Sequence, residues 1–181
     1  LQAAKGLIGK LIVRKKNNRI YSGIISETEA YLSKNDEASH SYRGLTRRNE
    51  AMFKIGGTVY VYFTYGNHYC LNVVTGRIGI GEAILIRAIE PLEGIEYMKA
   101  NRNCDDVYNL CSGPGKLTQA MEIDKSLNGE SFLGNTIFIC NYYKDYKPKI
   151  ISTNRIGINK NKDAKYRFID INSKFLSRKL N

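Results

Sequence analysis

Residues 59–72 read VYVYFTYGNHYCLN, two alternating runs joined at Gly66-Asn67. Alternation of this kind marks a strand with one face toward a core and the other away from it. Glycine and asparagine accept the left-handed backbone of a tight hairpin, so they supply the turn. In the first strand Val59, Val61 and Phe63 share a face and Tyr60, Tyr62 and Thr64 share the other. Past the turn, His68, Cys70 and Asn72 oppose Tyr69, Leu71 and Val73. The aliphatic face is expected to close a core. The tyrosine face is then free to meet a cavity, a groove or water, which suits a side chain with an apolar ring and a polar tip. Tyr65 rides the turn itself, where an aromatic can serve as a wedge in a base stack. Tyr60 and Tyr69 are expected to be packing residues.

Outward from this hairpin, 9–16 (GKLIVRKK) and 21–32 (YSGIISETEAYL) read as two strands joined by an Asn-Asn-Arg turn. Residues 33–45 are polar and loop-like, and Thr46 is placed to cap a short helix through Phe53. Residues 81–91 (GEAILIRAIEP) form a further strand, and Pro91 fits the first turn of a helix ending near Asn101. A second helix opens at GPGKLTQAMEI, 113–123. Residues 135–143, 147–159 and 165–171 read as strands or extended segments. Strands and helices mix without regular βαβ alternation and without repeats. One α+β domain over 1–181 is therefore expected, with a curved, largely antiparallel sheet, a protruding β-hairpin and surrounding helices. The opening LQAAKGLIGKLIVRK reads as cut into, so a shortened N-terminus is expected.

Composition narrows the function. The 181 residues carry 28 Lys and Arg against 17 Asp and Glu, a net charge of +11. Residues 144–181 hold eleven basic and three acidic side chains, which is most of that excess. A basic surface on a folded domain points to nucleic acid first and an acidic membrane second. No apolar run reaches the roughly 20 residues a membrane span needs, and no signal peptide is visible, so a cytoplasmic protein is expected. Cys70, Cys104, Cys111 and Cys140 show no CxxC spacing, and there are two histidines. That leaves neither a zinc motif nor a disulfide framework. SGPGKLT at 112–118 fails the phosphate-loop pattern, because Leu110 stands where a glycine is required and Leu117 where Ser or Thr is required. It still offers a helix start and Lys116 to a DNA phosphate.

Several side chains could carry chemistry. Residues i and i+2 of a strand share a face about 7 Å apart, which groups Glu27, Glu29 and Tyr31. Two acids and an aromatic fill a core poorly but line a pocket well, where a carboxylate can act as a general base. His40 follows in the polar loop. Arg87 lies among apolar residues and so needs a carboxylate, a phosphate or a catalytic partner. A basic surface, stacking aromatics, a carboxylate and a wedge are the parts an enzyme needs to flip a base out of a duplex. A non-catalytic nucleic-acid-binding domain would leave Glu29 idle. An O-glycosidase using Glu27 and Glu29 would leave the charge unexplained, and adjacent same-face acids do not readily flank a bond.

ETEAY at 27–31, His40, MFKIGGTVYVYFTYGNHYCLN at 52–72, LIRAIEP at 85–91, LCSGPGKLTQA at 110–120 and RIGI at 155–158 resemble, in order, the alkyladenine (3-methyladenine) DNA glycosylases. The resemblance spans nearly the whole chain. It implies a monofunctional glycosylase, without metal or organic cofactor, that excises alkylated or deaminated purines from double-stranded DNA as a monomer. By motif position it implies that Glu29 deprotonates the attacking water, and that Arg87 and the backbone carbonyl of Ile156 help hold that water. Tyr31 and Tyr62 would sandwich the flipped base with His40 at its edge. Asn72 would reject guanine, and Tyr65 would fill the gap in the duplex. Arg47, Arg48 and Lys116 are expected on DNA phosphates. No lysine in these motifs is placed as an amine nucleophile, so hydrolysis without strand cleavage is expected.

Overall fold

The computed structural model describes residues 1–64, 66–143 and 145–178. A first helix, α1 (Gln2–Leu7), leads into β1 (Lys10–Lys16) and β2 (Arg19–Tyr31). The hairpin strands β3 (Val59–Thr64) and β4 (His68–Val74) follow, and then β5 (Ala83–Glu93). Three short helices come next: α2 (Ile95–Arg102), α3 (Val107–Leu110) and α4 (Pro114–Ala120). The strands β6 (Ile137–Asn141), β7 (Ile150–Thr153) and β8 (Arg167–Asp170) complete the order. All pair antiparallel in one sheet ordered β3-β4-β5-β2-β1-β6, with β8 joining β2 and β7 joining β8. This is a single α+β domain with a curled sheet, as the sequence pattern predicts. Among the described residues no helix is long and apolar enough to cross a membrane.

β2 is the axis of the molecule. Its first half pairs with β1, from Arg19 to Ile24, and its last part pairs with β8, from Glu27 to Glu29. β5 runs along its other side from Ser22 to Tyr31. Three irregularities interrupt that last pairing, the first where Ser22 faces Glu93 and Gly23 faces Pro91, which leaves Leu92 as an extra residue on β5. Ile25 faces Ile89 and Glu27 faces Ala88, which leaves Ser26 as an extra residue on β2; Thr28 then faces Ile86, which leaves Arg87 as an extra residue on β5. Bulges of this kind bend a strand and re-aim its side chains.

The hairpin alternation divides two cores. Val59, Val61, Leu71 and Val73 enter the main core with Ile84, Ile86 and Leu117. Tyr60 joins a smaller cluster with Met52, Val74 and Ala83, against which Tyr31 and Tyr62 pack. Phe63 departs from its expected place. It is 46% exposed and leans on Tyr69, ring centres 5.0 Å apart, because the hairpin has by then run past the core. Gly66 takes φ +73°, the backbone expected of the turn. Tyr65 lies outside the described residues.

Two local expectations are corrected. Pro91 does not start a helix. It stays in β5 opposite Gly23, where β4 has already ended and no second neighbour needs its missing amide hydrogen. The helix begins after Gly94, at Ile95. Thr46 does not cap an α-helix either. Its amide donates to the Asn49 side chain at 2.6 Å while Asn49 N donates back to its hydroxyl at 3.4 Å, and only a 3₁₀ turn, Glu50–Phe53, follows.

Candidate active site

A cavity of about 240 Å³ opens between the hairpin, the ends of β2 and β5, the start of α4 and the loop after β7. Tyr31, His40, Tyr62, Asn72, Arg87 and Ile156 all line it, so residues spread over more than 120 positions meet at one place. Tyr60 and Cys70 complete the hairpin wall.

Glu29 is fully buried and bonded to three of these lining residues. The Tyr31 hydroxyl donates to Glu29 Oε2 at 2.8 Å, Arg87 Nη1 donates to the same oxygen at 3.3 Å, and the Ile156 amide donates to Oε1 at 2.8 Å. Charge-assisted bonds from several directions hold a carboxylate in one orientation. Burial and then the Glu29 charge push the Tyr31 phenol far above its ordinary range, which keeps it a donor. Burial works against the charge on Arg87, but Glu29 and then Glu27 overcome it and hold the guanidinium above its ordinary value.

Glu27 does not line the cavity. It is fully buried beside Glu29, with Arg87 Nε at 3.2 Å and Arg167 Nε at 2.6 Å on Oε1. Neither acid of the expected pocket pair lines the cavity directly: Glu29 reaches it through its bonds to Tyr31, Arg87 and Ile156, and Glu27 is an interior ion-pair partner. Because Arg87 is the bulged residue of β5, its guanidinium reaches both acids at once.

The hairpin wall is aromatic and internally bonded. His40 Nδ1 meets the Tyr60 hydroxyl at 2.9 Å, and its ring stands edge-on to Tyr62 with centres 4.5 Å apart. His40 sits at the cavity mouth, open to solvent on one side. Partial loss of hydration on the other side, then the Arg48 charge, hold it below its ordinary value and favour the neutral ring. Burial raises the Tyr60 phenol to about 12 and pushes Tyr62 and the Cys70 thiol upward as well. Asn72 is buried, with its Nδ2 donating to the carbonyls of Tyr60 and Cys70 at 3.0 and 3.3 Å, so its amide is fixed relative to the strand.

Asp36 and Arg155 are site residues that the sequence reading missed. They form a buried pair at 2.6 and 2.8 Å, and the Arg155 guanidinium also lies 4.6 Å from the Tyr31 ring centre. The pair therefore supports Tyr31 from behind and anchors the turn that presents the Ile156 amide. The RIGI motif was the available signal, but its partner is 119 residues away.

Of the expected phosphate contacts, Arg47 and Arg48 are exposed, and Arg48 Nη2 donates to the Phe63 carbonyl at 3.2 Å. Lys116 is half-buried and bonded to Asn109. Gly115 lies under the His68 ring, where an added Cβ would come within 2.8 Å of it, so the hairpin rests directly on the start of α4. Among the described residues no group of three or more His, Cys, Asp or Glu could hold a metal ion. What the arrangement offers is an aromatic-lined cavity with a cation in its wall and an oriented carboxylate behind it, suited to activating a small nucleophile.

The chain is similar to known proteins along nearly its whole length. Residues 1–174 match the family model described as Methylpurine-DNA glycosylase (MPG). A protein of Francisella tularensis subsp. tularensis is 51% identical over 182 residues, covering 99% of this chain and 94% of its own length. Proteins of Carboxydothermus hydrogenoformans and Chlorobium phaeobacteroides are 49% and 48% identical over 180 residues, covering 99% of this chain and 94% and 90% of their own lengths. All three carry the name "Putative 3-methyladenine DNA glycosylase".

Proposed function

This chain belongs to the methylpurine-DNA glycosylase family, and from that premise and the site geometry we propose that it excises alkylated or deaminated purines by a flipped-base, single-displacement hydrolysis. As a family member it is a DNA glycosylase, a hydrolase of base excision repair that acts on damaged DNA. The observation that carries the mechanism is the buried Glu29 carboxylate, oriented by Tyr31, Arg87 and Ile156 at an aromatic-lined cavity.

Cleavage of an N-glycosidic bond builds positive charge on the sugar. Glu29 stabilises that charge and takes the proton of the attacking water, with Arg87 and the Ile156 carbonyl holding the water in line. Tyr31 and Tyr62 stack on the extruded base, a contact worth about 1–3 kcal/mol and tolerant of many bases. A cationic alkylpurine gains further from the ring faces. His40 lies at the base edge, and Asn72 crowds the amino group that distinguishes guanine. Tyr65 fills the gap left in the duplex, and Arg47, Arg48 and Lys116 meet phosphates. The products are a free base and an abasic site. We propose that the protein acts as a monomer and, the relatives being bacterial, in the cytoplasm and its nucleoid.

The test is a duplex carrying hypoxanthine or a methylated adenine, scored for alkali-labile abasic sites, with wild type and Glu29→Gln side by side. Release by wild type and its loss in the variant is the expected result. Full activity in Glu29→Gln overturns the general-base assignment, and no release from any modified purine overturns the enzymatic reading in favour of DNA binding alone.

A further inference from the structure

The segment around residues 175–178 is bonded to the back of the site through Phe175, Ser177 and Arg178. Ser26, the bulged residue of β2, donates its hydroxyl to the Phe175 carbonyl at 2.6 Å. Ser177 donates twice to Glu27, through its amide to Oε2 at 2.7 Å and through its hydroxyl to Oε1 at 2.8 Å. Arg167 Nη2 donates to the Arg178 carbonyl at 2.9 Å while its Nε holds Glu27. Arg87 Nε lies 3.4 Å from the Ser177 hydroxyl as well as 3.2 Å from Glu27.

These contacts form one chain of influence on the reacting face. Arg87 touches Glu29 through Nη1, and its opposite edge is gripped by Glu27 and Ser177. Glu27 cannot turn, because four donors occupy its two oxygens. A planar guanidinium held along one edge presents its other edge in a fixed direction. Small errors in the placement of groups around a reacting centre cost disproportionately in rate.

We infer that Ser177 is a positioning residue of the glycosylase reaction: through Glu27 it sets the Arg87 guanidinium, and so the water held between Arg87 and Glu29. The inference rests on the Glu29–Arg87 mechanism proposed above. It assigns Ser177 no contact with DNA and no part in proton transfer.

The experiment uses the whole chain and a duplex containing hypoxanthine, with single-turnover excision rate, duplex affinity and melting temperature measured separately for wild type, Ser177→Ala and Ser177→Thr. Ser177→Ala removes a hydroxyl that serves two charged neighbours, so the single-turnover rate should fall roughly ten-fold at unchanged duplex affinity. Ser177→Thr keeps the hydroxyl and should recover most of that loss. An unchanged rate in Ser177→Ala overturns the inference. So does a rate loss that Thr fails to restore, or one matched by a parallel loss of affinity and melting temperature, because a purely structural role moves all three together. Failure of wild type to excise any base would instead overturn the glycosylase reading on which the inference stands.

Discussion

Glu27 and Glu29 stand two residues apart on β2, both fully buried and both bonded to Arg87. Their surroundings then diverge. Glu27 is closed in by β8 and by the segment around Ser177, with every donor supplied by the fold. Glu29 is bonded by Tyr31, Arg87 and Ile156, three residues that themselves line the cavity. Two identical side chains on one strand face thus become an interior ion-pair partner and a candidate base. What separates them is whether protein or the cavity stands beyond their hydrogen bonds.

The sharpest way to break this comparison is to neutralise each acid in turn. Glu29→Gln should lower the single-turnover excision rate by about 10²–10⁴-fold, the usual worth of a positioned general base, while duplex binding persists. Glu27→Gln leaves Arg87 and Arg167 sharing one fewer buried carboxylate, and should cost about 3–5 kcal/mol of stability in denaturant unfolding, more than Glu29→Gln costs. Equal destabilisation by the two substitutions would erase the distinction. Tyr31→Phe removes a single donor from Glu29 and leaves the stacking ring, so excision should slow roughly ten-fold with little change in affinity.

The smallest effect concerns another buried carboxylate, Asp36. Burial opposes its charge, but the Arg155 hydrogen bonds and the Leu32 amide overcome that and hold it below its ordinary value of 3.8. The folded state therefore binds the Asp36 proton more weakly than the unfolded chain does. Its contribution to stability is fully present well above pH 3.8 and is lost as pH falls through the lower folded value. Acid unfolding followed for wild type and Asp36→Asn should show a shallower acid dependence in the variant.

Much of this was legible in the sequence, and the reasons are local. The hairpin was readable because its period of two needs only neighbouring residues, and the same period placed Glu29 and Tyr31 on one face. That rule also placed both acids on the pocket lining, whereas Glu29 stands behind the lining residues it bonds and Glu27 is an interior ion-pair partner. The rule takes no account of β8 or of a segment arriving 150 residues later to fill the space. The bulges at Ser26 and Arg87 were equally hidden, since they exist only as a mismatch between two strands. Pro91 was misread as a helix start because its tolerance in β5 depends on where β4 stops. Tyr60, expected only to pack, also bonds His40, a contact that the polar loop makes possible and that spacing cannot reveal.

The grip of Ser177 on Glu27 also orders events during synthesis. A ribosome makes Glu27, Glu29 and Arg87 long before Ser177, and the last bonds to Glu27 span 150 residues. Contacts of such long sequence separation form late, after the chain has closed its shorter loops. A nascent chain can therefore build the hairpin and its aromatic wall while the back of the site is still open. The back of the site closes only once Ser177 has been made, well after Glu27, Glu29 and Arg87.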